Sequence, residues 1–156
     1  DITRLPEVKK GALTFTVIGG GFSGIETVGE IKELIDRSLR YYPNINASEI
    51  RVVVLEFADR ILNEMPESLA AYAQNKLNER GIEVQLGVGV AEATGTQLVT
   101  TTGEVIDTRT IVATIGNTPA PVVAKMPLTL EQGRILVGVI FGRMGLKTFG
   151  GLGIVR

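Results

Sequence analysis

The 156-residue chain contains neither cysteine nor histidine. The first absence removes any disulfide framework and any thiolate metal site. The second removes the commonest general base and the commonest metal ligand. No metal site is therefore expected, and any catalysis involving the chain would rest on a bound cofactor. No apolar run approaches the ~20 residues of a membrane-spanning helix. The first residues carry no signal-peptide h-region, so the expected location is cytoplasmic. An excess of either charge is also missing. The formal net charge is -1, with acidic and basic residues mixed along the chain, and this leaves no electrostatic footprint for nucleic acid. What remains is ordinary for a globular protein: 44% hydrophobic and 21% charged residues, in a chain long enough for one domain with a core.

Against that background, residues 14–26 stand out, reading T-F-T-V-I-G-G-G-F-S-G-I-E. Phe15, Val17 and Ile18 end a strand-like run that enters Gly19, Gly21 and Gly24, spaced as G-x-G-x-x-G, and an amphipathic helical pattern follows. In a strand–turn–helix setting this spacing points to dinucleotide binding. Gly19 would permit the tight turn, Gly21 the approach of a pyrophosphate, and Gly24 close packing of helix on strand. The phosphates would lie at the helix N-terminus, where free N–H groups and the helix dipole favour an anion, and Gly20, Phe22 and Ser23 of the same turn are further candidate cofactor-binding residues. A glycine-rich turn without a ligand is the plainer alternative.

The helix is expected from Ser23, with Ile25, Val28, Ile31, Ile35 and Leu39 on one face. It should end before Pro43, because the residue preceding a proline is pushed out of the helical region. Residues 51–56, R-V-V-V-L-E, read as a strand buried on both faces of a parallel sheet. Its last residue, Glu56, stands where an acidic side chain accepts hydrogen bonds from an adenosine ribose. Such a carboxylate would repel a 2′-phosphate and favour NADH over NADPH, an inference that nearby Arg60 weakens. A solvent-facing strand-end glutamate is the alternative.

Residues 61–66 are expected to form a loop. Pro66 and Ser68 open a second helix with Leu69, Ala73 and Leu77 on one face, closed by Arg80 and Gly81. Residues 82–86 alternate as a strand does. Residues 88–93, 97–101 and 104–106 are short and β-prone, with Gly95 and Gly103 between them, and predict an antiparallel meander in place of a third crossover helix. Residues 110–114 form a further buried strand leading to Gly116, either a point of close cofactor approach or a simple turn glycine. Pro119, Pro121 and Pro127 should keep the next stretch extended, before a strand-like run at residues 133–137. The expected fold is α/β, a Rossmann-like open parallel sheet with a β-meander crossover.

Taken in order, F-S-G-I-E, Y-Y-P-N-I, V-V-V-L-E with R-I-L-N-E-M-P, A-x-x-x-L-x-x-x-G-I-E-V, the meander, A-T-I-G-N-T-P-A-P and G-R-I-L-V resemble the NADH-binding domain of FAD-dependent pyridine-nucleotide oxidoreductases. The branch they look most like is the type II NADH dehydrogenases, single-subunit NADH:quinone oxidoreductases. The resemblance spans residues 12–137, after a lead-in at residues 1–11. It implies that NADH passes a hydride to FAD, and that the flavin then reduces a quinone at the membrane surface, on its cytoplasmic face. By position, Gly19, Gly21 and Gly24 match the pyrophosphate turn, Glu56 the ribose carboxylate, and Val90 and Gly116 the adenine and nicotinamide ends. Glu26 matches a glutamate beside nicotinamide and flavin, and is the candidate catalytic residue. Its plainer role is stabilisation of the first helical turn. Other FAD-linked reductases and a non-catalytic NAD-sensing module are the competing readings.

The FAD-binding glycine motif and the later G-D-x-A segment of the family have no counterpart here. The chain by itself is therefore expected to bind NADH but not FAD, to turn nothing over, and to need the FAD domain as its partner. Residues 138–156 hold six glycines and no acidic residue and match no family element. Permitted codons from Gly145, read from their third base, encode L-K-N-V-W-G-I-G-D-C-A, which resembles the FAD segment. The expectation is an out-of-frame tail that is the least ordered part of the chain; the gene's nucleotide sequence decides it.

Overall fold

The computed structural model describes residues 9–116, 121–127, 130–131 and 134–135. Lead-in residues 1–8, loop residues 117–120 and the tail at 138–156 lie outside them. The chain divides into two compact units, Asp1–Ile115 and Gly116–Arg156.

In the first unit, β1 (Thr14–Ile18), β2 (Arg51–Glu56), β3 (Ile82–Leu86) and β7 (Thr110–Ala113) form one sheet in the order β3-β2-β1-β7. Every pairing is parallel, with Val17 opposite both Val54 and Val112. Helix α1 (Phe22–Ser38) connects β1 to β2, and α2 (Glu67–Glu79) connects β2 to β3. The third connection is the expected meander: β4 (Val90–Ala93), β5 (Gln97–Thr100) and β6 (Val105–Asp107), antiparallel throughout.

The period of two in β2 assigns its side chains to two cores. Val52 and Val54 pack with Val17, Val28, Ala70, Leu77 and Ile82 beneath the helices. Val53 and Leu55 pack with Leu98 and Ile106 beneath the meander. All four β2 residues are at most 2% exposed, so the apolar run is covered on both faces. Each such side chain contributes roughly 1.5–3 kcal/mol by leaving water. The strand is held at this depth, and its C-terminal residue is delivered to the end of the sheet.

Helix α1 ends as expected, passing through a 3-10 turn at Leu39–Tyr41 before Pro43. Helix α2 corrects one expectation: Leu69 is 48% exposed, and Ala70 is buried in its place beside Leu77, with Ala73 packed against them. Successive residues turn by about 100°, so a face centred on Ala70 and Leu77 leaves Leu69 at its rim. In the second unit, the stretch bounded by Pro121 and Pro127 is not extended. It holds a 3-10 turn at Val123–Lys125, because the fixed φ of proline suits the opening of a turn as well as an extended chain. Beyond it, β8 (Leu130–Glu131) pairs antiparallel with β9 (Arg134–Ile135), within the expected strand-like run.

One charged cluster ties the sheet to the meander. Arg51 donates to both oxygens of Glu83, at 2.8 and 2.9 Å, and to Glu104 at 3.4 Å. The Arg51 hydrogen bonds hold the Glu83 carboxyl below its ordinary value of 4.5, against the opposing effect of partial burial. A carboxylate with a lowered folded-state pKa stabilises above its unfolded pKa, and that contribution disappears as pH falls through the folded value. Stability should therefore drop as pH falls below about 4.5. In urea titrations across that range, Glu83→Gln should show a shallower drop than the wild type. Equal slopes would contradict the pairing.

Candidate functional site

The glycine turn begins where β1 leaves the sheet. The Gly19 N–H donates to the Leu55 carbonyl at 2.8 Å, which fastens the turn to β2. Gly19 has φ +107, a conformation that side chains rarely tolerate. A Cβ there would also lie 2.8 Å from Ile115 Cγ2 and from Thr114 Oγ1. Gly24 meets a harder limit, since a Cβ would stand 1.8 Å from the backbone oxygen of Gly19. The first turn of α1 thus rests directly on the end of β1.

Gly21 differs from both. It is the N-cap of α1, in ordinary extended geometry (φ -73, ψ -177), and nothing lies within 4 Å of where its Cβ would be. No side chain caps the helix. The first intrahelical bond runs from the Ile25 N–H to the Gly21 carbonyl at 3.0 Å, so the N–H groups of Phe22, Ser23 and Gly24 have no intrahelical acceptor. Phe22 and Ser23 are exposed. An open cradle at an uncapped helix N-terminus, with the dipole behind it, suits a phosphate group.

Glu56 faces this turn. Its Oε2 accepts the Gly20 N–H at 2.5 Å, and its Oε1 accepts the Ala58 N–H at 2.8 Å. A carboxylate offers about four lone-pair sites, so both oxygens keep capacity for a further donor. Arg60 turns elsewhere, its guanidinium bonded to the side chain and carbonyl of Asn63 at 3.0 and 2.8 Å.

Three supporting residues were not singled out by sequence reasoning. The Thr114 hydroxyl donates to the Ile18 carbonyl at 2.9 Å and to that of Gly19 at 3.4 Å, which ties the turn to β7. The Leu62 N–H donates to the Gly20 carbonyl at 2.8 Å. Ile61 is fully buried against Gly20. The available signal was the pair Ile61-Leu62, two large apolar side chains inside a polar loop.

The remaining candidates are spread wider. Val90 opens β4 and packs against the core beneath the meander. Its segment is tied to the end of β2 by the Val88 N–H, which donates to the Glu56 carbonyl at 2.9 Å. Gly116 belongs to the second unit and has φ +83, with open space at its Cβ position. Glu26 requires a correction. Since α1 begins at Phe22, Glu26 is its fifth residue, and the first turn contains no acidic side chain. The dipole effect falls off within that turn, so helix-end stabilisation loses its basis. Glu26 is exposed and borders a shallow depression of about 500 Å³ with Thr27, Glu30, Ile31 and Leu34.

Among the described residues there is no cluster of three or more potential metal-ligating side chains, and no helix is long and apolar enough to cross a membrane. The protein-family model described as pyridine nucleotide-disulphide oxidoreductase matches residues 2–139. The chain belongs to this family. A type II NADH:quinone oxidoreductase of Mycobacterium tuberculosis is 36% identical over 88 residues, 56% of this chain and 19% of that protein. A type II NADH:quinone oxidoreductase of Haemophilus influenzae is 31% identical over 110 residues, 70% of this chain and 25% of that protein. The structure of NDH2 from Plasmodium falciparum in complex with NADH superposes with a TM-score of 0.65 at 16% identity, covering 72% of this chain and 24% of that one. At that identity the likeness speaks for the pyridine nucleotide oxidoreductase fold alone. The chain spans about a fifth to a quarter of the length of these relatives.

Proposed function

We propose that the chain is the NADH-binding domain of a flavin-dependent NADH:quinone oxidoreductase. The observation that carries this reading is the Glu56 carboxylate, held by the Gly20 N–H at 2.5 Å beside the open, uncapped helix N-terminus at Gly21. The N–H groups of Phe22 and Ser23 would bind the pyrophosphate. The free lone pairs of Glu56 would accept the two adenosine ribose hydroxyls. Val90 would border the adenine. NADH, once bound, supplies a hydride. Glu26 would face the nicotinamide and its flavin acceptor.

FAD would be held by another part of the longer protein, which would carry the quinone site and work at the cytoplasmic face of the membrane. The chain by itself would bind NADH without turnover.

Titration of the purified chain with NADH and NADPH, followed by nicotinamide fluorescence, tests the reading. Removing an ionised acceptor of two ribose hydroxyls should cost about 1.5–3 kcal/mol. Glu56→Ala should therefore raise the Kd for NADH by roughly ten- to a hundredfold. NADPH affinity should change less, because the repulsion of its 2′-phosphate disappears along with the carboxylate. An unchanged Kd for NADH in Glu56→Ala would remove Glu56 from the site.

A further inference from the structure

We infer that Ile61 is a positioning residue that sets the preference for NADH over NADPH by acting on Glu56 through Gly20. This rests on the ribose-binding role proposed for Glu56. The geometry is a chain of three contacts. Gly20 is held on both sides, its N–H by Glu56 Oε2 and its carbonyl by the Leu62 N–H at 2.8 Å. Ile61 Cγ2 and Glu56 Cβ close the space beside Gly20, 2.9 and 3.0 Å from where its Cβ would be. Ile61 is 0% exposed and belongs to the core beneath the helices, with Val17, Val28 and Val54. The wedge is therefore anchored in the buried core of the domain.

The grip on Gly20 also has a conformational cost. Leu62 has φ +49, the only positive φ among the described non-glycine residues. A bulky residue rarely adopts this conformation. It is held here by burial of the Leu62 side chain, 8% exposed, and by its bond to Gly20. Backbone strain maintained by surrounding packing is a mark of functional loops. Its consequence here is a Gly20 held from its carbonyl side while its N–H donates to Glu56.

A carboxylate fixed in this way contributes twice. It meets the ribose hydroxyls without first being ordered, which strengthens NADH binding. It also cannot swing away from a 2′-phosphate, so NADPH bears the full repulsion. If the wedge is loosened, Gly20 can shift, its N–H no longer holds Glu56, and the carboxylate becomes mobile. NADH then loses affinity while NADPH escapes part of its penalty.

The β-branch of Ile61 supplies the test. Ile61→Val keeps Cγ2 and loses only the terminal methyl. Ile61→Leu and Ile61→Met keep roughly the volume and lose Cγ2. The Kd ratio of NADPH to NADH is measured for all three and for the wild type, each checked for folding by thermal melting. The ratio should fall about three- to tenfold in the Leu and Met variants and stay at the wild-type value in the Val variant. The exchange rate of the Gly20 amide should rise in the Leu and Met variants and not in Val. A purely structural role would leave the ratio unchanged in every folded variant, and that result, or an equal shift in all three, overturns the inference. Wild-type protein that binds no NADH overturns the site reading and this inference with it. Normal NADH binding with an unmoved ratio overturns this inference alone.

Discussion

Gly24→Ala is expected to unfold the domain or leave it barely stable. The added methyl would sit 1.8 Å from the Gly19 backbone oxygen and 2.9 Å from the Gly19 carbonyl carbon and Thr114 Oγ1. No rotamer relieves the first clash, because both partners belong to the backbone. Relief requires α1 to move off the end of β1. That movement would disturb Val28, which is fully buried, and the Ile25, Ile31 and Ile35 contacts with the same core. Overpacking a well-packed site costs about 1–3 kcal/mol, occasionally more. A clash between two backbone segments belongs at the upper end, against a total stability of roughly 5–15 kcal/mol. The expected result is a loss of about 3 kcal/mol or more in urea unfolding, accompanied by loss of NADH binding. A Gly24→Ala protein with wild-type stability would show that the helix and strand are not in contact here.

Gly21→Val should do the reverse, abolishing NADH binding in a protein that remains folded. The residue has ordinary extended angles and no atom within 4 Å of its Cβ position, so the valine meets nothing in the protein. Valine is a poorer N-cap than glycine, by about 1 kcal/mol or less. That corresponds to a shift of about 5 °C or less in Tm. The isopropyl group would fill the space proposed for the pyrophosphate and block approach to the Phe22 and Ser23 N–H groups. Two glycines three residues apart thus carry opposite expectations, one for the fold and the other for the ligand. Melting curves and NADH titrations on both variants separate them. If Gly21→Val binds NADH as the wild type does, the cradle lies elsewhere.

Much of this arrangement is legible in the residues. The alternation of Val52 to Leu55 gives a strand covered on both faces, and the spacing of Ile25, Val28, Ile31 and Ile35 gives the buried side of α1. Gly95 and Gly103 mark the turns of a meander where no helical period survives. Gly19 and Gly24 are readable because each need is local: a positive φ at one, a close approach at the other. What escapes the sequence is non-local. The Leu62 bond to Gly20 and the Thr114 bond to Ile18 join segments distant in the chain, and no periodicity reports them. The positive φ of Leu62 runs against the preference of leucine itself. Leu69 was misplaced because residues 69, 73 and 77 share a spacing of four, which drifts around a helix of 3.6 residues per turn. Glu26 was placed one residue too early because the helix begins at Phe22 and the first turn closes before it.

The most direct test of the account is titration of the wild-type chain with NADH and with NADPH. Saturable binding of both is expected, with NADH the tighter, because Glu56, held by the Gly20 N–H beside the helix N-terminus, would accept the ribose hydroxyls. No binding at millimolar NADH, or equal affinity for the two nucleotides, would contradict it.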